Sequence, residues 1–412
     1  MPTTIAEQER ISTTVQAGSW RSISLVYLYS VLTAASISKL VPIEAELERT
    51  FGATPASIGV AISLISVSSA IAATVGGAII DRVGARRAIV FTSVIVALSD
   101  VIGFLSTSMF MLDVARLIEG IEFIGIIAAA PALIIATTSG TLRVKAMSLW
   151  STYTPTGYSL GLLLAAPFAG TSAWRWTFIL HGGLFLLAAC LGGMLPRSPR
   201  TPDRSSSTQG RSRLLELLST YGEIKPLRLS VANAFLVSIG LGTSVVVPAY
   251  FARTHQVSIG TSSAILAFSN AAMILGGILA GLLLSRNMQA MRLYLMVALG
   301  GILSGVFLYA PQVSFWVAVV MLLVWLLTTG AAVAIIMSLL PHVVRDPQRG
   351  AAASGLLAQV MALGTLITPA IFFSILSEGN WMYFAAIIIG GWIISVLALP
   401  AAGGPQRTEP RA

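Results

Sequence analysis

A helix needs about twenty consecutive apolar residues to cross the hydrocarbon core of a bilayer. From Ser22 to Gly403 this chain offers such blocks repeatedly, with short gaps between them. They fall at 22–42, 56–80, 87–107, 111–137, 146–168, 173–195, 228–250, 259–284, 291–310, 313–340, 350–376 and 381–401. Charged residues make up 10% of the 412 and apolar residues 56%. A soluble domain carries about 25% charged residues, so this sequence cannot cover a soluble surface of its size. The expected fold is an all-α membrane protein of twelve transmembrane helices.

The net charge of +9 does not point to nucleic acid, because the basic residues lie between apolar blocks rather than along one face. All of the 25 lysines and arginines except Lys39, Arg49, Arg116, Arg175 and Arg253 fall in the tails or the even-numbered connections. By the positive-inside rule both termini are cytoplasmic. The first twenty residues hold no apolar core or cleavage pattern, so the first membrane helix is expected to act as its own insertion signal. Cys190 is the single cysteine, which excludes a disulfide pair and a thiolate metal cluster.

The stretch 196–227 is polar, basic and rich in Ser and Pro, and reads as a loop. It divides the chain into an N-tail (1–21), a six-helix bundle (22–195), a cytoplasmic linker (196–227), a second six-helix bundle (228–401) and a C-tail (402–412). The halves echo each other. Gly77, Asp81 and Arg82 match Gly281, Ser285 and Arg286 at an offset of 204, and Arg143, Ala146 and Ser148 match Arg349, Ala352 and Ser354 at 206, as Phe178 matches Phe384. Parallel six-helix repeats around a central loop are a transporter architecture.

Gly77-Ala-Ile-Ile-Asp81-Arg82-Val-Gly84-Ala85-Arg86-Arg87 resembles the cytoplasmic G-x-x-x-D-R-x-G-R-R motif of the major facilitator superfamily, with Ala85 where that family usually has a basic residue. Arg116-Leu-Ile-Glu119-Gly120 is similar to the same family's R-x-x-x-G motif. RLIEGIEFIG followed by Pro131, and WSTYTPTGYSLGLLLAAP, resemble bacterial porters of the cyanate and nitroimidazole group. The drug-antiporter motif of the fifth helix is echoed only by Pro155, Gly157 and Gly161. The resemblance covers about residues 20–400. It implies two pseudo-symmetric six-helix bundles in a bacterial inner membrane, transport by alternating access, and no enzymatic activity. Gly77, Asp81, Arg82, Gly84, Arg86, Arg87, Gly281 and Arg286 would then form a conformational latch. Asp81 would accept hydrogen bonds from a neighbouring helix start or an arginine. The plainer alternative makes the arginines positive-inside anchors.

Ionisable residues inside a membrane are costly and mark function. Asp100, Asp113, Glu119 and Glu122 qualify, with Arg116 as the basic residue deep in a span. Counted from the turn near 107–110, Asp100 and Arg116 lie at a similar depth of roughly 10 Å, so they could pair, with Glu119 as a competitor. Steps of three residues rotate a helical position by about −60°. Asp113 and Glu122 therefore face opposite ways. Glu122 or Glu119 is the expected proton carrier, since a carboxyl group in a low-dielectric interior can hold and release a proton near neutrality; a static helix-holding pair is the alternative.

Tyr29, Thr33 and Ser36 form a polar stripe expected to line a central cavity. Lys39 continues it, either to attract an anionic solute or, as the favoured reading, to snorkel to the outer headgroups. Tyr153, Tyr158, Asn270, Trp325 and Gln359 are further candidates for solute contact, and any of them could be a helix–helix contact instead. His181 is a weaker candidate, because a lone histidine is more often a packing or capping residue than a proton relay. The sequence holds no Walker loop, zinc pattern or G-x-S-x-G turn. It implies no cofactor and no metal. The partners expected are a small-molecule solute, protons and membrane lipids, not nucleic acid, for a monomer. Three functions follow: a proton-coupled transporter of a small polar or anionic solute, a proton/drug antiporter, or a receptor built on a transporter fold.

Overall fold

A computed structural model describes residues 19–68, 80, 83–196, 223–343 and 350–400. Gly77, Asp81 and Arg82, most of the linker, most of the N-tail and the whole C-tail lie outside the described residues. Among the described residues the structure is helical, with no strand. The membrane helices are α1 (Trp20–Phe51), α2 (Pro55–Ser68), α3 (Ala85–Phe104), α4 (Met109–Thr137), α5 (Tyr153–Ala165), α6 (Trp176–Met194), α7 (Ile224–His255), α8 (Ile259–Ser285), α9 (Ala290–Leu308), α10 (Phe315–Leu340), α11 (Gly355–Glu378) and α12 (Trp381–Ala398). Ten are long and apolar enough to cross a membrane; α2 and α5 are shorter in their described lengths. The order is that of the twelve apolar blocks.

Two boundaries differ most from the sequence reading. The first block was expected to end at 42, where Pro42 and a run of charges begin. Instead a 3₁₀ turn at Val41–Ile43 carries the helix through the proline, which lacks the N–H that a regular α-turn needs. A further helix, Glu44–Phe51, follows and ends on Gly52 in the left-handed region, φ 61. Glu44 and Glu46 in its first turn and Arg49 in its last suit the helix dipole. The fifth block is split: Gly140–Trp150 stops short, and α5 starts again at Tyr153.

α5 lies close along α1. A side chain at Gly157 or Gly161 would bring its Cβ to 2.2 Å from the carbonyl oxygen of Val31 or Ala35, so this contact requires glycine. The end of the molecule where α1 turns into α2 is here the far end; Trp20 and Ala398 mark the near end. The halves join at the far end through α2 on α11 and α5 on α8. Ser159 Oγ donates to the carbonyl of Ala267 at 2.7 Å, and Thr365 Oγ1 lies 3.4 Å from Ser66 Oγ. One hydrophobic core runs across this junction, from Leu40, Ile43, Ile58, Ile62 and Leu162 into Leu236, Val246, Phe251 and Phe372. Toward the near end a separate core, Ile23, Leu32, Ile89, Ile126, Leu133 and Phe185 among others, belongs to the first half alone. Among the described residues, therefore, the halves are fused at the far end.

Gly59 sets that fusion. A Cβ there would stand 2.4 Å from backbone atoms of Ala370, and backbone cannot move aside as a side chain can. Gly59→Leu is expected to pry the far end open. With Cys190 replaced by Ser and Thr365 by Cys, labelling by a membrane-impermeant maleimide applied from the far side should rise severalfold. Unchanged labelling would show that this contact does not hold the far end shut.

Candidate functional site

Four helices of the first half converge on one buried cluster. Lys39 comes from α1, Asp100 from α3, Arg116, Glu119 and Glu122 from α4, and His181 from α6. Each is at most 1% exposed. The Lys39 ammonium contacts Asp100 Oδ1, lies 2.6 Å from Glu119 Oε1, and is 3.1 Å from His181 Nδ1. Arg116 holds the other oxygen of Glu119 through Nη1. It also donates through Nη2 to the carbonyl of Ser36 at 2.7 Å and through Nε to that of Ala61 at 3.2 Å. His181 Nδ1 is 2.7 Å from Asp100 Oδ2. Ser36 Oγ donates to Glu122 Oε2 at 3.1 Å and lies 3.2 Å from His181 Nε2. Glu122 Oε1 has no hydrogen-bond partner among the described residues.

Local structure delivers these groups. Ser108 caps the start of α4, accepting from Met111 N–H. The helix breaks at Gly120 and then forms a π turn over Phe123–Ile127, directly after Glu122. Such turns interrupt regular helices and are frequent at functional sites. Gly125 lets α3 pass close, since a Cβ there would fall 1.8 Å from Thr92 Oγ1.

The geometry corrects several expectations. Asp100 and Arg116 do not pair, because Lys39 and His181 take Asp100 while Glu119, one turn along, takes Arg116. Lys39 does not reach for headgroups: the continuation of α1 to Phe51 places it inside the protein, between two carboxylates and over the Phe178 ring at 5.1 Å. His181 is a hub of the cluster rather than a packing residue. Its partners come from helices distant in sequence, so only its apolar setting could have marked it. Arg116, Glu119 and Glu122 meet in the cluster, whereas Asp113 is half-buried with Oδ1 unpartnered among the described residues.

The stripe on α1 turns inward, toward α4 and α6, instead of lining the space between the halves. Tyr29 donates to the carbonyl of Ala188, Thr33 donates to its own helix at Tyr29, and Ser36 joins the cluster. Trp325 is packed within the second half, against Gly305 and edge-on to Trp392 with centroids 6.4 Å apart, so it is a core residue there. Tyr153 stacks obliquely on Trp150, with centroids 5.0 Å apart. Gln359 is half-buried on α11. Tyr158 and Asn270 come from opposite halves. The Tyr158 hydroxyl and Asn270 Nδ2 are buried without a partner among the described residues.

Gly84 takes φ 87, which a side chain rarely tolerates, and so turns the chain into α3. With Arg86 and Arg87 it lines a cleft of about 960 Å³ whose other wall includes Gly192 and Gly193 of α6. Gly281 lies in α8 and Arg286 caps its end. One ligand atom each from Asp100, Glu119 and His181 lie within 4.8 Å of one another, but the Lys39 ammonium fills the place a cation would take. The cation of this cluster is the chain's own.

A family model, the Major Facilitator Superfamily, matches residues 26–369. The quinolone resistance protein NorB of Staphylococcus aureus is 26% identical over 176 residues, which are 43% of this chain and 37% of that protein. The chain thus spans about a third of the length of the curated relatives it matches. The inward-open xylose transporter XylE from E. coli superposes with a TM-score of 0.72 at 16% identity, covering 94% of this chain and 97% of that one. A D-xylose-proton symporter gives 0.73 at 17% identity, covering 93% and 98%. At these identities the likeness is one of fold.

Proposed function

Since the chain belongs to the Major Facilitator Superfamily, we propose that it moves a small polar or anionic organic solute across the bacterial inner membrane by alternating access, coupled to protons. It is a transporter, not an enzyme. The observation that carries proton coupling is the balance of the buried cluster. Asp100, Glu119 and Glu122 oppose Lys39 and Arg116, three carboxyl groups against two basic side chains in a site at most 1% exposed. Net charge is expensive in such an interior, so the site calls for one further proton. Both oxygens of Glu119 face a cation, and neither oxygen of Glu122 does. Loading and release therefore fall to Glu122.

With the near end cytoplasmic, as the basic connections imply, the fused far end corresponds to a state closed to the outside. Tyr158 and Asn270, from opposite halves, bring unpartnered polar groups for the solute. Asp81, in the motif loop, is the latch; Asp81→Asn should leave expression normal and cut transport, and full activity would remove that role. A second reading, export of amphipathic drugs against protons, is favoured by the partial likeness to NorB. Proteoliposomes under an imposed pH gradient separate the two with a panel of small acids, sugars and quinolone-like drugs. Accumulation of a small acid with co-directional protons supports solute import. Drug movement against protons supports export. No flux of any compound would sink both.

A further inference from the structure

We infer that Glu122 and His181 share one proton across the hydroxyl of Ser36, which is the bridge between them. This deepens the proton-coupled reading and rests on it for its part in transport.

Ser36 Oγ stands 3.1 Å from Glu122 Oε2 and 3.2 Å from His181 Nε2, so one hydroxyl touches both proton-bearing groups. It is also the sole hydrogen-bond donor to Glu122 among the described residues, because Oε1 has none. The backbone carbonyl of the same residue receives Arg116 Nη2 at 2.7 Å, which pins this turn of α1 against α4.

The imidazole is set between two states. With its hydrogen on Nδ1 it donates to Asp100 Oδ2, and Nε2 accepts from Ser36, but Nε2 then faces the carbonyl of Leu32 at 3.2 Å, acceptor to acceptor. With its hydrogen on Nε2 it serves Leu32 or Ser36, and Nδ1 accepts from Lys39 at 3.1 Å, but Nδ1 then faces Asp100 Oδ2 at 2.7 Å as acceptor to acceptor. With both hydrogens it satisfies Asp100 and Leu32 and meets the Lys39 ammonium. No form satisfies every neighbour, so the proton has no single best place on the ring.

The transfer balances. The Glu122 O–H bond breaks as its proton passes to Ser36 Oγ, while the Ser36 O–H bond breaks as its own proton passes to His181 Nε2. Glu122 becomes a carboxylate, His181 becomes imidazolium, and the serine ends as it began. The cluster's total charge is unchanged throughout. The charged groups facing the pair are Lys39 from α1, Asp100 from α3, and Arg116 and Glu119 from α4, with Asp113 beyond Arg116 on α4. From α2 the cluster receives the carbonyl of Ala61.

The test uses the full chain in detergent. Infrared spectroscopy follows the protonated-carboxyl stretch, assigned to Glu122 by its loss in Glu122→Gln. NMR with nitrogen-labelled histidine follows imidazolium. The sequence has three histidines, and His181→Asn assigns the signal. Over the pH interval in which the wild-type site holds one proton, the carboxyl and imidazolium signals should each stand at part of full intensity. Ser36→Ala strips the carboxylate of its one donor, so over that interval the carboxyl signal should be full and the imidazolium absent. Ser36→Thr should restore the divided signals. A wild-type proton residing wholly on one group would overturn the inference, as would divided signals that survive in Ser36→Ala. Shared signals without gradient-driven flux would keep the bridge and discard the proton-coupled reading. Flux with an undivided proton would do the reverse.

Discussion

Glu122→Gln loses accumulation driven by a pH gradient and keeps exchange of solute between the two sides of the membrane. The amide has the shape of the protonated acid and can still bond Ser36 Oγ, so the helices keep their contacts. It cannot release a proton, so the site stays in its loaded form. Exchange needs only the loaded form, whereas accumulation needs the empty one as well. A gradient of one pH unit offers about 1.4 kcal/mol for each proton, or about tenfold accumulation at one proton per solute; the variant should fall to equilibration while counterflow stays near the wild-type rate. Filter assays on the same proteoliposomes give both numbers. Accumulation at the wild-type level would remove Glu122 from the coupling.

Lys39→Ala should unfold the first half or leave it barely stable. The lysine is fully buried, and its ammonium lies against Asp100 and Glu119. Deleting it strands negative charge where water cannot reach, a loss of about 3–5 kcal/mol for a buried pair broken on one side. That is comparable to a large part of the stability of an ordinary domain. Adding Asp100→Asn removes the stranded charge, so the double variant should recover most of the monodisperse protein seen by fluorescence-detected size exclusion. Normal yield and melting of Lys39→Ala alone would contradict the ammonium-centred arrangement.

The helical order of the fold was legible because a bilayer demands length and apolarity, and both are local properties of a sequence. The close approach of α1 and α5 at Gly157 and Gly161 was not legible, because glycine spacing does not say which helix lies against it. The charges of the site were visible one by one, since each sits in an apolar block. Their pairing was not. Depth placed Asp100 level with Arg116, but a partner is chosen by rotation and by what the neighbouring helix presents, and neither is written along a single segment. Lys39 was misread because Pro42 and the charges after it look like a helix end. The 3₁₀ turn that carries α1 past the proline is a tertiary outcome, with Leu40, Val41 and Ile43 packed into the core shared by the two halves. His181 was undervalued because its worth comes from α1 and α3, about 140 and 80 residues away in the chain. The stripe of Tyr29, Thr33 and Ser36 was correctly polar, but polarity alone does not say whether a helix face looks into its own bundle or between two.

The central claim is that the buried cluster of the first half moves protons together with the solute. It is tested most directly in proteoliposomes enclosing a pH-sensitive dye, without an imposed gradient, by adding outside the panel solute that accumulates. Wild-type protein should acidify the lumen as the solute enters, and Glu122→Gln should carry the solute with no change in the dye. Solute entry through the wild-type protein at constant internal pH would contradict the account.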